Sequence, residues 1–179
     1  MQEKLKLKIP TLKTLYFKKE IKEDPFTMDY NAGYDVNFEG YNYSDGTIKT
    51  NIKELKNVWY KRWVHNWPTN YYAYIAKSDN TLIGEIYAKW VESKNAYEIG
   101  IVIKGEYRGN GYSTQAIGLL IKKLKSLGAK KLYHEVPTTR KSAIQADINN
   151  GFIVKDNYLG AKKFGKEENI TYLEFNLKD

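Results

Sequence analysis

The chain has 179 residues, no cysteine and a formal net charge of +8, and 42% of its residues are hydrophobic. This length suffices for a substantial core, and we expect residues 1–179 to form a single domain. The lack of cysteine excludes disulfides and thiolate metal sites, and it favours a reducing, cytoplasmic location. The start of the chain has no apolar signal core, and no apolar run approaches the roughly eighteen residues of a membrane span, so we expect no membrane partner.

The positive charge is unevenly distributed along the chain. Between residues 20 and 45 there are seven acidic residues and one lysine, so this segment carries −6 and the rest of the chain +14. Many of the lysines outside it lie on what read as solvated helix faces, which favours a lysine-rich surface over a nucleic-acid partner. A positive field would also suit a polyanionic ligand.

The first third of the chain predicts one strand, two helices and a long loop. Residues 4–9 alternate in hydrophobicity and predict a strand, and residues 11–23 predict a helix capped by a threonine. Residues 26–50 show no clear period and predict a loop, whose aromatic side chains argue against disorder. Residues 51–65 place large apolar side chains at helical spacing.

The remainder predicts three strands, a helix, a strand, a helix and two strands. The predicted bounds are 71–77, 81–91 and 96–104 for the strands, 115–127 for the helix, 130–136 for the strand, Thr139 or Ser142 to 150 for the second helix, and 152–159 and 169–177 for the last strands. Antiparallel hairpins that lead into a helical crossover give a mixed sheet. We therefore expect an α+β fold, with a mixed, mostly antiparallel central sheet flanked by helices.

A glycine-rich turn separates the third of these central strands from the helix that follows. Residues 107–113 read Tyr-Arg-Gly-Asn-Gly-Tyr-Ser. A strand, a glycine turn and a helix start form an anion site, because backbone N–H groups and the helix dipole point at one spot. A P-loop would need a lysine after Gly111, and the dinucleotide fingerprint would need a glycine in place of Thr114.

The stretch from Arg108 to Ser113 resembles the Arg/Gln-x-x-Gly-x-Gly/Ala signature of the GNAT family of N-acetyltransferases, with serine at the last position. The resemblance extends from about residue 70 to residue 152, where Asn149-Asn150-Gly151-Phe152 is similar to the family's helix-ending motif. It implies the acyl-CoA N-acyltransferase fold, with acetyl-CoA as co-substrate and no metal.

The resemblance also implies how acetyl-CoA is held. Backbone groups of Ile101, Val102 and Ile103 would pair with the pantetheine amides as an added strand does. Arg108 would contact a phosphate, although its fork could equally hold a surface carboxylate, and Arg140 could reach the phosphates or simply start the last helix. The residues expected around the pyrophosphate are Arg108, Gly109, Asn110, Gly111, Tyr112, Ser113 and Thr114.

The reaction that the resemblance implies is direct attack of an amine on the thioester carbonyl. An alkylamine has a pKa of about 10, so some group must accept its proton. Glu98 is the first candidate and Glu85 the second, because both lie in apolar strands, where a raised carboxylate pKa would suit a base. Either could instead lie on the wet face of the sheet. His134 could serve as well, or be structural.

One part of the family pattern is missing. Many members carry Asn and Ser before the last helix and a tyrosine within it, and these positions hold Arg140, Ala143 and Asp147. The usual proton donor to the departing thiolate is therefore absent. Water, a tyrosine from elsewhere, or no dedicated acid could take its place.

The acidic, aromatic segment 24–50 suggests where the acceptor binds. Carboxylates with tyrosine faces suit a cation, so we expect a primary amine of a cationic small molecule or a peptide N-terminus. The residues expected near it are Asp29, Tyr30, Tyr34, Asp35 and Glu39. The segment could instead be a solvated loop that binds no acceptor. For the whole chain, two other functions stay open: a non-catalytic coenzyme A binding or sensor module, and a nucleic-acid-binding protein. A homodimer is also open.

Overall fold

A computed structural model describes residues 3–30, 39–163 and 166–177. Within these ranges the protein has an α+β architecture, as predicted, with one mixed sheet and helices on both of its faces. The strands are β1 (Leu5–Lys8), β2 (Asn70–Lys77), β3 (Leu82–Val91), β4 (Ala96–Ile103), β5 (Lys131–Pro137), β6 (Ile153–Lys163) and β7 (Lys166–Asn176). The helices are α1 (Leu15–Glu23), α2 (Pro25–Met28), α3 (Ile52–Glu54), α4 (Tyr60–Trp63), α5 (Tyr112–Ser126) and α6 (Lys141–Asn149).

The sheet has a single parallel pair at its centre. In the described part of the chain the strand order is β1-β2-β3-β4-β5-β7-β6, and every neighbouring pair is antiparallel except β4 with β5. The β4–β5 pairing is confined to Tyr97 with Leu132 and Glu98 with Tyr133. Beyond these two pairs the strands separate, and an open cleft lies between them.

The two faces of the sheet carry different helices. On one face α5 and α6 cover the main core, in which Ile117, Leu120 and Leu124 pack against the strands. On the other face Phe17 and Ile21 of α1 pack with tyrosines of β2. Because side chains alternate along a strand, each position of β3, β4 and β5 belongs either to the α5–α6 face or to the α1 face.

Several elements differ from the prediction. Within the segment predicted as a loop, Pro25–Met28 forms a short helix, because the Asp24 carboxylate accepts hydrogen bonds from the N–H groups of Phe26 and Thr27 and proline suits the first helical position. The helix predicted over 51–65 contains a π-helical turn, Leu55–Trp59. The last two strands extend further into their polar connection than predicted. Among the described residues, none of the helices combines the length and hydropathy needed to cross a membrane.

Candidate active site

The cleft between the separating ends of β4 and β5 is a cavity of about 640 Å³. Residues 98–103 of β4 form one wall, and residues 134–137 of β5 form the other. The glycine turn with the start of α5 closes one end, and α6 covers one side through Ser142, Ala143 and Ala146. The cleft therefore opens where the sequence predicted the anion site.

The glycine turn lies at the mouth of this cleft and depends on two left-handed glycines. Gly109 has φ of 79° and Gly111 has φ of 73°, and the latter is the residue before the first turn of α5. A β-carbon added to Gly109 would have no heavy atom within 4 Å, so glycine is required there by the backbone conformation rather than by space. The turn thus presents the N-terminus of a fifteen-residue helix to the cleft.

Most of the predicted cofactor residues line the cleft. Asn110 does not; its side-chain amide donates to the carbonyls of Tyr107 and Arg108, at 3.0 and 3.1 Å, and so holds the turn in shape. The predicted residues that do line the cleft are Ile101, Val102, Ile103, Arg108, Gly109, Gly111, Tyr112, Ser113, Thr114 and Arg140.

The second edge of β4 is open along the cleft. Beyond Glu98 this strand pairs with β3 on one side, and in the described residues no strand pairs with it on the other. The backbone groups of a strand edge can pair with an extended amide-containing chain. The geometry is therefore suited to the role that the family resemblance implies for residues 101–103.

Arg108 joins the glycine turn to α2. Its guanidinium donates to the carbonyl oxygens of Phe26, at 3.0 Å, and of Thr27. The N–H of Gly105, just before the turn, donates to the Thr27 hydroxyl at 2.9 Å. The side chain that we expected on a phosphate is thus engaged by backbone carbonyls, a contact that sequence reasoning did not foresee.

Tyr30 lies between two arginines at the edge of the cleft. Its ring is 4.7 Å from the guanidinium carbon of Arg108 and 5.0 Å from that of Arg140. Its hydroxyl is 3.0 Å from the Ser142 hydroxyl at the start of α6. Tyr30 therefore connects the end of α2 to α6.

Glu98 lies where β4 and β5 part, on the α1 face. Its side chain is 30% exposed and lies 3.9 Å from the ammonium of Lys89. Burial raises the pKa of Glu98, and the Glu135 carboxylate raises it further against the opposing charge of Lys89. Glu135 follows the last paired residue of β5 by two positions, so it shares this face and lines the cleft. Sequence reasoning missed Glu135, although the alternation of β5 could have indicated it.

Glu85 lies on the same face and also borders the cleft, but its side chain is almost fully enclosed. It is 2% exposed; Lys18 donates to it at 3.0 Å, the Tyr72 hydroxyl also donates to it, and Lys22 is 3.7 Å away. Burial by itself would raise the pKa of Glu85, but the charges of Lys18 and Lys22 and these hydrogen bonds together lower it. The raised pKa that we expected for this carboxylate is thus not found. The sequence did not indicate its lysine partners, because they lie on a helix far away along the chain.

His134 lies on the opposite face of the sheet, next to α6. Its Nδ1 is 2.9 Å from Oδ2 of Asp147, which is fully buried. Since a carboxylate accepts hydrogen bonds, this contact places the hydrogen on Nδ1 and leaves Nε2 as the ring nitrogen available to the cleft. The sequence analysis considered both His134 and Asp147 but did not predict that they contact each other.

The predicted acceptor residues are only partly brought to the cleft. Tyr30 lines it, whereas Asp29 and Glu39 do not, and Tyr34 and Asp35 lie outside the described residues. The carboxylate of Asp29 contributes to the electrostatic environment of Arg108 and Arg140. Over the described ranges, no group of three or more acidic or histidine side chains could hold a metal ion.

Comparison with known proteins relates this architecture to one family. Residues 39–146 match the family model described as acetyltransferase (GNAT) family, and no curated protein matches the chain. A spermidine N-acetyltransferase from Vibrio cholerae in complex with CoA and spermine is 16% identical, with a TM-score of 0.76, covering 97% of this chain and 95% of that chain. A chimera of the Vibrio cholerae enzyme SpeG and hSSAT is 15% identical, with a TM-score of 0.74 and the same coverage of 97% and 95%. At these identities the likeness establishes a shared fold.

Proposed function

The chain belongs to the acetyltransferase (GNAT) family, and we propose that it transfers the acetyl group of acetyl-CoA to a primary amine of a cationic small molecule or a peptide N-terminus. The observation that carries the choice of acceptor is the carboxylate pair Glu98 and Glu135 on the α1 face, where the strands part. Polyamines are the first acceptors to test, because a protein of the same fold is described in complex with CoA and spermine.

The cleft fits the expected co-substrate in shape and in chemistry. The N–H groups of the glycine turn and the start of α5 would hold the pyrophosphate, and the open edge of β4 would pair with the pantetheine amides. Arg140 adds a positive charge at the same mouth. When bound there, acetyl-CoA supplies an activated acetyl thioester.

The carboxylates of the α1 face would receive the amine and its proton. A carboxylate with a raised pKa is a stronger base than an ordinary one, and Glu98 has a raised pKa because it is partly buried beside Glu135. Glu98 therefore remains our first candidate for the base. Glu85 is less suited, since Lys18 and Lys22 already hold its charge.

The same groups favour a cationic acceptor. Glu85 and Lys22 also line the cleft, but Lys18 and Lys22 compensate the charge of Glu85, whereas the cation beside Glu98 is Lys89 at 3.9 Å. A protonated polyamine carries further positive charges that would be attracted to the carboxylate pair Glu98 and Glu135 while one amine reacts. The tyrosine side chains of residues 30 and 87, which also line the cleft, offer faces that suit cations.

The test is thiol release from acetyl-CoA with a panel of polyamines, aminosugars, amino acids and peptides. The protein has no cysteine, so it contributes no thiol background. We expect amine-dependent release, greatest with polycationic acceptors, and a loss of about 100-fold in kcat for Glu98→Gln. Glu106→Gln is the matched control, because this carboxylate is exposed and pairs with Lys104 at 2.9 Å outside the cleft.

Two outcomes would contradict the proposal. Coenzyme A binding without release for any amine would favour a binding or sensor module. Equal rates with neutral and polycationic amines would refute the cationic acceptor.

Three further expectations stay predictions: the single domain over residues 1–179, the cytoplasmic location and a homodimer. The single domain is supported by the sheet, which contains strands from both ends of the described chain.

A further inference from the structure

The position of His134 on β5 is unusual in three respects. It is the first residue after Tyr133, where pairing with β4 ends, so it lies where the cleft begins. It lines the cleft, and its side chain is 12% exposed. Its Nδ1 is held at 2.9 Å by the fully buried carboxylate of Asp147. The imidazole therefore has one nitrogen fixed by the protein and one available to a ligand.

Among the described residues, His134 is the side chain that hydrogen-bonds to the Asp147 carboxylate. The second carboxylate oxygen of Asp147, Oδ1, is buried and has no hydrogen-bond partner among the described residues. Burying a carboxylate is costly unless it is paired, and a structural aspartate normally satisfies both oxygens. A buried carboxylate with one oxygen unsatisfied calls for an explanation, and holding an imidazole at the edge of a cleft supplies one.

The two faces of the sheet separate this pair from the carboxylates. His134 lies one residue before Glu135, so their side chains point to opposite faces of β5. Glu98 and Glu135 occupy the α1 face, and His134 occupies the α5–α6 face with Asp147. A ligand lying between the strands would thus meet carboxylates on one side and the imidazole on the other.

We propose that His134 donates a proton through Nε2 to the sulfur that leaves the acetyl group, and that Asp147 is the residue that positions it. This inference rests on the proposed acetyl transfer. The bond between the amine nitrogen and the carbonyl carbon forms, the carbon–sulfur bond breaks with its electron pair on sulfur, and the Nε2 proton passes to that sulfur. The proton of the attacking amine leaves on the opposite face, to Glu98 or to water, and solvent returns a proton to His134.

General chemistry favours this direction of transfer. An ordinary thiol has a pKa of about 8.5 and an ordinary imidazolium about 6.5, so an imidazolium gives its proton to a thiolate readily. Among the described residues, the Asp147 carboxylate on α6 contacts the ring and the Arg140 guanidinium at the start of α6 lines the same cleft, whereas Glu98 and Glu135 lie on the other face of the sheet.

The test compares two near-isosteric variants with the wild type. His134→Asn keeps an amide N–H that can still donate to Asp147 but has no proton at the Nε2 position. Asp147→Asn keeps the volume of the buried side chain and removes its charge. We expect each variant to lower kcat by about 100-fold with little change in the KM for acetyl-CoA, and to remove the alkaline limb of the kcat pH profile.

Two readouts do not depend on turnover. Coenzyme A binding by calorimetry should be retained in both variants, which separates a lost proton donor from a lost fold. The chain has two histidines, so the ring ¹⁵N signals are readily assigned. In the wild type the His134 signals should show Nδ1 protonated and bonded, and Asp147→Asn should change this pattern while His65 stays unchanged.

The outcomes are distinguishable. If the wild type releases thiol with amines but His134→Asn keeps its rate and its alkaline limb, the assignment of His134 is wrong and the proposed function stands. If His134→Asn is impaired and Asp147→Asn matches the wild type in rate and ¹⁵N pattern, the role of Asp147 is refuted. If the wild type itself shows no amine-dependent release, the proposed function fails first.

Discussion

Replacing Glu85 by glutamine should lower the free energy of unfolding by about 3–5 kcal/mol at pH 7, because it leaves the buried ammonium of Lys18 without its counter-charge. Lys18 is 6% exposed and lies 3.0 Å from the carboxylate. The Tyr72 hydroxyl at 3.0 Å and the Trp59 ring at 4.6 Å supply no full negative charge, and Lys22 adds a like charge.

The loss should depend on pH in a defined direction. Burial lowers the pKa of Lys18 to about 8 from an ordinary 10.5, with Glu85 opposing the shift. Between pH values of about 8 and 10.5, Lys18 is protonated in the unfolded chain and largely neutral in the folded chain. The free energy of unfolding therefore rises with pH across this range. Without Glu85 the folded pKa of Lys18 falls further, so the difference in unfolding free energy between variant and wild type should shrink as the pH is raised from 7 to about 8 and change little above that.

A double-mutant cycle separates the interaction from the individual side chains. Urea unfolding followed by tryptophan fluorescence would be measured for Glu85→Gln, Lys18→Met and the double variant. We expect the double variant to lose clearly less than the sum of the single losses, by about 1 kcal/mol or more, because it leaves no buried charge uncompensated. Glu20→Gln is the control, since this carboxylate is 46% exposed in its pair with Lys104 and should cost less than about 1 kcal/mol. Additive losses, or equal losses for Glu85→Gln and Glu20→Gln, would refute the reasoning.

Three further variants test the cleft. Gly109→Ala should cost about 1 kcal/mol in unfolding free energy and Gly109→Asn less, because φ is 79° and asparagine tolerates that region; equal costs would contradict this. Gly100→Ala should lower the thermal unfolding midpoint, since its β-carbon would lie 2.3 Å from the Tyr87 ring, and Tyr87→Ala in the same chain should recover part of that loss; no recovery would contradict the clash. Arg108→Lys should speed proteolysis near residues 26–30 without moving the global unfolding midpoint, because lysine lacks the fork that reaches two carbonyls.

The features that the sequence predicted are those encoded locally. The strand, the glycine turn and the start of α5 follow from residues that are neighbours in the chain, so the amino-acid sequence alone predicts the turn at Gly109 and Gly111. The positive φ of both glycines and the helix that follows are consequences of that short stretch.

The features that the sequence did not predict are contacts over long separations. Glu85 meets Lys18 across 67 positions, and Arg108 reaches Phe26 across 82. Neither contact has a periodicity or a spacing that marks it, because each depends on how helices dock on the finished sheet. The pairing of His134 with Asp147 likewise depends on the packing of α6 against β5.

The contact between Arg108 and α2 ties the glycine turn to the segment that carries Tyr30. The same guanidinium that borders the anion site holds two carbonyls of the segment leading to Tyr30. A phosphate that attracts this guanidinium would compete with those carbonyls. The free energy of breaking the contacts with the carbonyls would then enter the binding of acetyl-CoA and that of any amine held by the same segment. By thermodynamic reciprocity, any effect of acetyl-CoA at this guanidinium on the affinity for an amine that contacts Tyr30 would be matched by an equal effect of the amine on the affinity for acetyl-CoA.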